Sequence, residues 1–409
     1  MKDKFKIFVW TLYDFANTSF SIVVVTFIFA VYFKKTIAQG QPVGDFYWSL
    51  ATSISMIITG LISPVLGAIA DHSAGKKRFL LFFTLLCIFS TTALYFSYPG
   101  GILFAITVFV IANVGFEAGL VFYDAFLPEI TVPKNYGRVS GYGFSMGYLG
   151  SLMTLAVAFP LISKGMLKET FPLAALFFLI FSIPIFIFLK DNRRSVVRNE
   201  AYISIGISRV INTIKHLKNY RNLALFLAAY FFYIEGVNTV IFFSGNYAST
   251  TIGFSDTELL WFFLTVQTTA ILGSVVFGII ADSIGQKKTI VITLLLWFVT
   301  VGSAYMVTEK NAFYVVGLLA GSVMGATQST SRSLMSRLTP EDKKTEFFGF
   351  YSFFGKSSAV LGPLVFGLVS YAAGSQRLAI LSISFFFLIG LLILTRVHDP
   401  KNIITSEQP

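Results

Sequence analysis

The chain has 409 residues, of which 55% are hydrophobic and only 12% charged, with a mean hydropathy of +0.74. A soluble domain carries about 25% charged residues, and a core of this size cannot hide so much apolar surface from water. This excludes a soluble enzyme or binding module and makes the chain an integral membrane protein. The net charge of +11 sits in a few loops, where it sets membrane orientation rather than forming a nucleic-acid surface.

Apolar runs near the roughly 20 residues that a helix needs to cross a bilayer recur throughout. The alternating strands of an outer-membrane barrel do not. The first run covers residues 7–33. It follows the basic start Met1 to Lys6, exceeds a signal-peptide core and carries Asp14 and Asn17, so it reads as a membrane helix. Lys34 and Lys35 end it. Further spans are predicted at 46–70, 79–96, 102–122, 139–162 and 171–189, with a polar loop over 128–138. From 190 to 221 the chain turns basic, and Ile203, Ile207, Val210, Ile211, Ile214 and Leu217 recur at helical spacing. This predicts an amphipathic linker helix on the membrane surface. Six more spans follow at 222–243, 258–281, 289–307, 313–335, 348–371 and 378–395.

The expected fold is therefore an all-α membrane protein with twelve transmembrane helices in two pseudo-symmetric six-helix bundles. The expected units are a first bundle (1–189), a linker (190–221), a second bundle (222–397) and a tail (398–409). Of the 31 Lys/Arg, the side opposite the linker keeps Lys34, Lys35, Lys164, Lys168, Lys310 and Arg377, and Lys356 lies inside a span. The positive-inside rule then puts both termini in the cytoplasm.

A duplication is visible. Gly67, Asp71, Gly75, Lys76, Lys77 and Arg78 sit between the second and third spans. Gly278, Asp282, Gly285, Lys287 and Lys288 sit about half the chain later, between the eighth and ninth. Pro128-Glu129 and Pro340-Glu341 repeat at a similar offset. After each comes a glycine-studded helix, with Gly141, Gly143, Gly147 and Gly150, then Gly349, Gly355 and Gly362. Small residues at these spacings predict close helix contacts, and internal symmetry of this kind marks many transporters.

The repeated Gly-x-x-x-Asp loop and the two six-helix halves resemble the major facilitator superfamily over almost the whole chain. A narrower likeness lies in Trp10-Thr-Leu-Tyr13-Asp14-Phe15-Ala16-Asn17 and in Tyr233-Ile-Glu235-Gly236-Val237-Asn238. These look like the "unknown major facilitator" family, bacterial relatives of the autophagy-related vacuolar amino-acid effluxers. The resemblance implies alternating access between inward- and outward-facing states. It also implies a cavity lined by spans 1, 4, 7 and 10, and a switch role for Gly67, Asp71, Gly75, Lys76, Lys77, Arg78, Asp282, Lys287 and Lys288. It further implies work as a monomer in a bacterial inner membrane.

Ionisable groups inside spans are costly and point to function. Asp14 with Asn17, Glu117, Glu235 with Asn238, and Lys356 stand inside spans, and Gln328 and Arg332 fall on the tenth. Asp124, at a helix end, reads as structural. Burial disfavours the charged form of a carboxylate, so such a group can load and release protons. The set Asp14, Asn17, Glu117, Glu235, Asn238, Gln328 and Lys356 is expected to bind substrate and proton. A zwitterion would put its ammonium near Glu235 or Asp14 and its carboxylate near Lys356. The expected function is a secondary transporter of a small polar, amino-acid-like solute, with a proton or sodium as coupling ion, membrane lipid around it and no cofactor. Two alternatives share the fold: a lysolipid or glycolipid flippase, favoured by the 46 Phe, and a receptor that binds without moving its ligand. An enzyme is disfavoured, since no metal cluster, nucleophile elbow or phosphate loop is found in the sequence.

Overall fold

The computed structural model describes residues 3–191, 202–358 and 361–398. Residues 192–201 of the expected linker and 399–409 of the expected tail lie outside that set. Among the described residues there is no strand, and twelve helices are long and apolar enough to cross a membrane. They are α1 (Asp3–Ile37), α2 (Val43–His72), α3 (Lys76–Phe96), α4 (Ile102–Ile130), α5 (Pro133–Ser163) and α6 (Thr170–Phe188) in the first half. In the second half they are α7 (Leu217–Thr250), α8 (Thr257–Ile284), α9 (Gln286–Met306), α10 (Lys310–Leu338), α11 (Lys344–Ala373) and α12 (Gln376–Thr395). A further helix, Tyr202–Lys215, precedes α7.

The helices run past the predicted apolar limits because their polar ends find partners. Lys34 and Lys35, expected to end the first span, lie inside its last turns, and Lys34 pairs with Asp45 at 2.5 Å. The predicted 128–138 loop is largely helical: α4 continues to Ile130, and α5 opens on Pro133, a residue that costs little at a first turn. Two stretches of α1, Ser21–Phe27 and Phe33–Ile37, are π-helical. α11 comprises Lys344–Ser358 and Leu361–Ala373. The two repeat loops turn on the same device, a glycine with positive φ: Gly75 at 74° and Gly285 at 99°.

The halves meet along two helix pairs, α2 with α11 and α5 with α8. The expected small-residue contacts form there. A Cβ on Gly137 would run into the carbonyl of Gly278, and one on Gly278 into that of Gly137. Gly67 and Gly349 play the same part between α2 and α11. Glycines let these backbones touch, so the halves seal tightly at the repeat-loop end.

Candidate substrate cavity and gate

A cavity of about 1180 Å³ lies between the halves. Its outer walls are apolar, with Phe27, Val31, Ile241, Phe242, Leu260 and Phe262. Val31, Phe242 and Leu260 are also exposed, and they lie toward the helix ends away from the repeat loops. The cavity therefore opens away from those loops, with its polar floor toward them.

The floor is built on Arg332. Its guanidinium leaves α10 and reaches across to the first half, where Nη1 donates to Asp14 at 3.2 Å and to Asp124 at 2.9 Å. Its other nitrogens donate to the Ser140 hydroxyl at 3.0 Å and the Ser140 carbonyl at 2.9 Å. Phe144 and Trp10 cover it, with ring centroids 4.2 and 4.8 Å from the guanidinium carbon. Helical spacing explains the grouping, because Trp10, Asp14 and Asn17 lie on one face of α1. Tyr123 donates to Asp14 at 2.7 Å, and Asn17 approaches its other oxygen at 3.5 Å. A Cβ on Gly143 would meet Arg332, Asp14 and Trp10 together, so the glycine makes the room. Two carboxylates share one guanidinium.

A second ion pair crosses the floor. Lys356 of α11 binds Glu117 of α4. Beside them Tyr148 of α5 donates to Gln328 of α10 at 2.6 Å. Of the predicted site residues, Asp14, Asn17, Glu117, Asn238, Gln328 and Lys356 all line the cavity. Glu235 is the exception. It is fully buried within the second half, away from the cavity lining, and its Oε1 accepts from the Gly362 N–H of α11 and from Thr239 at 3.3 Å. Its Oε2 is buried without a hydrogen-bond partner among the described residues. Glu235, expected with Asp14 as a place for a substrate ammonium, thus stands off the cavity lining, because α7 turns Asn238, not Glu235, toward the cavity. Asp124, read as structural from its place near a helix end, pairs with Arg332 and also lines the cavity. One sequence signal points to it, since Asp124 lies seven residues after Glu117, two turns along the same face.

The repeat loops divide their labour. Asp71 of α2 accepts from the backbone N–H groups of Thr345 (3.0 Å) and Glu346 (2.8 Å), which open α11. Asp282 of α8 accepts from those of Gly137 (2.7 Å) and Arg138 (3.0 Å), which open α5, and from the Arg138 side chain at 2.7 Å. Each aspartate thus caps a helix of the opposite half, where orphan N–H groups and the helix dipole favour an anion. The lysines stay within their own half. Lys76 binds Glu129 and donates to the Ala125 carbonyl at 2.9 Å. Lys77 donates to the Leu189 carbonyl at 2.6 Å, and Lys287 to that of Thr395 at 2.9 Å, so each holds the C-terminal end of a sixth span. The side chains of Arg78 and Lys288 make no hydrogen bond or ion pair among the described residues.

Residues 46–406 match the family profile described as "Vacuole effluxer Atg22 like". The chain belongs to that family. An uncharacterized MFS-type transporter of Bacillus subtilis, YxiO, is 32% identical to this Atg22-like chain, over 98% of the chain and 96% of the relative. Autophagy-related protein 22 of Kluyveromyces lactis is 23% identical, over 83% of the chain and 77% of that protein. The fold is that of solved major facilitator transporters. The human organic anion transporter MFSD10 superposes with a TM-score of 0.76 at 16% identity, covering 96% of this chain and all of that one. The proton:xylose symporter XylE does so with 0.77 at 13% identity, covering 97% and 96%. The Atg22-like chain is thus an integral multi-pass transporter of the major facilitator type, not an enzyme, with a central cavity suited to a small-molecule substrate.

Proposed function

We propose that this transporter carries a small zwitterionic, amino-acid-like solute by alternating access, coupled to protons. The observation that supports this most is the Glu117–Lys356 ion pair on the cavity floor. Its two members come from opposite halves. A zwitterion is itself an ion pair, so it can slip between them, ammonium to Glu117 and carboxylate to Lys356, with no net charge buried. That exchange avoids the penalty of leaving one buried charge unpaired. Binding then changes the contact between the halves, which is the contact that alternating access must remake.

Glu235 is the proton carrier in this reading. It lies apart from the substrate floor, and no cation pairs with it among the described residues. Taking up a proton there removes an uncompensated buried charge. Asp71 and Asp282 hold the gate at the repeat-loop end, which the lysine distribution assigns to the cytoplasm of a bacterial cell. With that gate shut, the cavity faces outward.

Thermal stabilisation of the purified protein by a panel of amino acids, sugars, nucleosides and lysolipids tests the substrate class. A ligand at 100 times its Kd stabilises the folded state by about 2.7 kcal/mol. The expected hit is an amino acid whose effect is lost in Glu117→Gln and in Lys356→Ala. A second reading, a lysolipid flippase, draws on the apolar walls at Phe27, Phe242 and Phe262. A hit confined to lysolipids, unchanged in Lys356→Ala, would establish it and sink the zwitterion.

A further inference from the structure

The helix Tyr202–Lys215 has three faces with different surroundings. One face is docked. Gly206 seats against Val65 and Ile69 of α2, close enough that a Cβ there would collide with them. On the same face Thr213 donates to the carboxylate of Glu346, a residue with no exposed surface, and accepts from Lys343 at 2.7 Å. Arg209 lies 3.6 Å from the other Glu346 oxygen and donates to the Asp342 carbonyl at 3.4 Å. Glu346 is also the residue whose backbone N–H Asp71 caps at 2.8 Å. The linker helix and the gate aspartate therefore hold the same residue from two sides.

The second face is apolar and uncovered. Ile203, Ile207, Ile211 and Ile214 follow one another at helical spacing, and their exposures run from 45% to 69%. Four isoleucines in a row do not face water without a cover. The surface they adjoin names the cover. Ile57 and Leu61 of α2 are exposed apolar residues of a membrane span, 57% and 63%, and they continue one and two turns along the same face into Val65, where Gly206 sits. The isoleucine face thus extends the lipid-facing side of α2. Lys215, Lys218 and Arg221, at the end of the helix and just beyond, are exposed, and cations there suit anionic headgroups. The third face, with Ser204, Ser208 and Asn212, is polar and exposed.

We propose that the linker helix is a membrane-docking surface coupled to the gate. Its isoleucine face lies in the lipid leaflet, and that seat holds Arg209 and Thr213 on Glu346, which keeps the α2–α11 end closed. Loss of the lipid seat frees the helix, loosens Glu346 and shifts the transporter toward the state open at the repeat-loop side. The inference rests on the gate reading above, and the experiment separates the two.

The full chain is placed in nanodiscs of phosphatidylcholine and phosphatidylglycerol at three to one. Amide hydrogen exchange is then followed over 202–215 and at Thr345 and Glu346. Asp71→Asn is the gate control, expected to speed exchange at Thr345 and Glu346 about tenfold. Ile207→Asn/Ile211→Asn alters only exposed positions. It is expected to speed exchange both in the linker helix and at Thr345 and Glu346, whereas Arg209→Ala speeds the gate amides alone. If the control works and the double variant leaves the gate amides unchanged, the coupling is wrong. If the control itself has no effect, the gate reading fails instead. A spin label at Ile211→Cys, in a Cys87→Ser background, reports the cover directly. Preferred collision with oxygen over a nickel chelate supports lipid. Preferred collision with the chelate, or a dipolar signal from a second label in a second copy, would overturn the membrane assignment.

Discussion

The two halves carry the same short pattern and use it differently. α1 reads Asp14-Phe-Ala-Asn17-Thr18 and α7 reads Glu235-Gly-Val-Asn238-Thr239. In both the acid lies against a glycine of a helix four positions on in the fold, Gly143 of α5 or Gly362 of α11. Asp14, however, is bound by Arg332 from the other half, at 3.2 Å, whereas Glu235 is bound within its own half by a backbone N–H and a hydroxyl. Duplication copied the backbone and left the charge partners free to diverge. One acid reports on the contact between the halves. The other is insulated from it.

The comparison breaks hardest at Arg332. Arg332→Leu leaves Asp14 and Asp124 facing each other without a cation, and removal of one partner from a buried ion pair costs about 3–5 kcal/mol. Transport should vanish and the melting temperature should fall steeply. Adding Asp14→Asn should recover part of that loss, and no recovery would mean that the cluster is held by packing rather than by charge. Glu235→Gln comes next. It keeps the shape and removes the charge, so proton-driven uptake into liposomes should lose its pH dependence while counterflow of preloaded substrate continues. Full rate with unchanged pH dependence would remove Glu235 from the mechanism.

The gate aspartates sharpen the symmetry more gently. Asp71→Asn and Asp282→Asn each lose a charge at a helix N-terminus, worth about 1–2 kcal/mol when partly buried. Distances between spin labels on α2 and α11 should shift toward the state open at the repeat-loop side by similar amounts in the two variants. A shift in only one would show that the two caps are unequal. The smallest change is expected from Lys287→Ala. It removes a lysine of α9 that donates to the Thr395 carbonyl at the end of α12, and its effect on stability, read by melting temperature, should stay within about 1 kcal/mol.

Much of this was legible along the chain, and particular residues show why. Apolar run length and the repeated Gly-x-x-x-Asp loop are local, and each found its place in the fold. The cavity residues Asp14, Glu117 and Lys356 were legible because an ionisable group in a membrane span is costly wherever it lies. Which cation meets which acid was not legible. Asp14 and Arg332 are 318 residues apart, and only the packing of α10 against α5, with the reach of the guanidinium to α1, joins them. Glu235 shows the limit most clearly, since a charge in mid-span must face a cavity or a partner, and one helical sequence cannot say which. The direction in which α7 is rotated decided that.

The sequence by itself determined the membrane class, the twelve spans, the duplication and the short list of costly polar groups, because hydropathy, spacing and charge act within one turn or one span. Only the tertiary structure decided the pairings, the seat of the linker helix against α2 and α11, and the split between aspartates that bridge the halves and lysines that brace them. The physical reason is range. A buried charge is stabilised by whatever group lies within a few ångströms, and in a helical bundle those groups come from other helices.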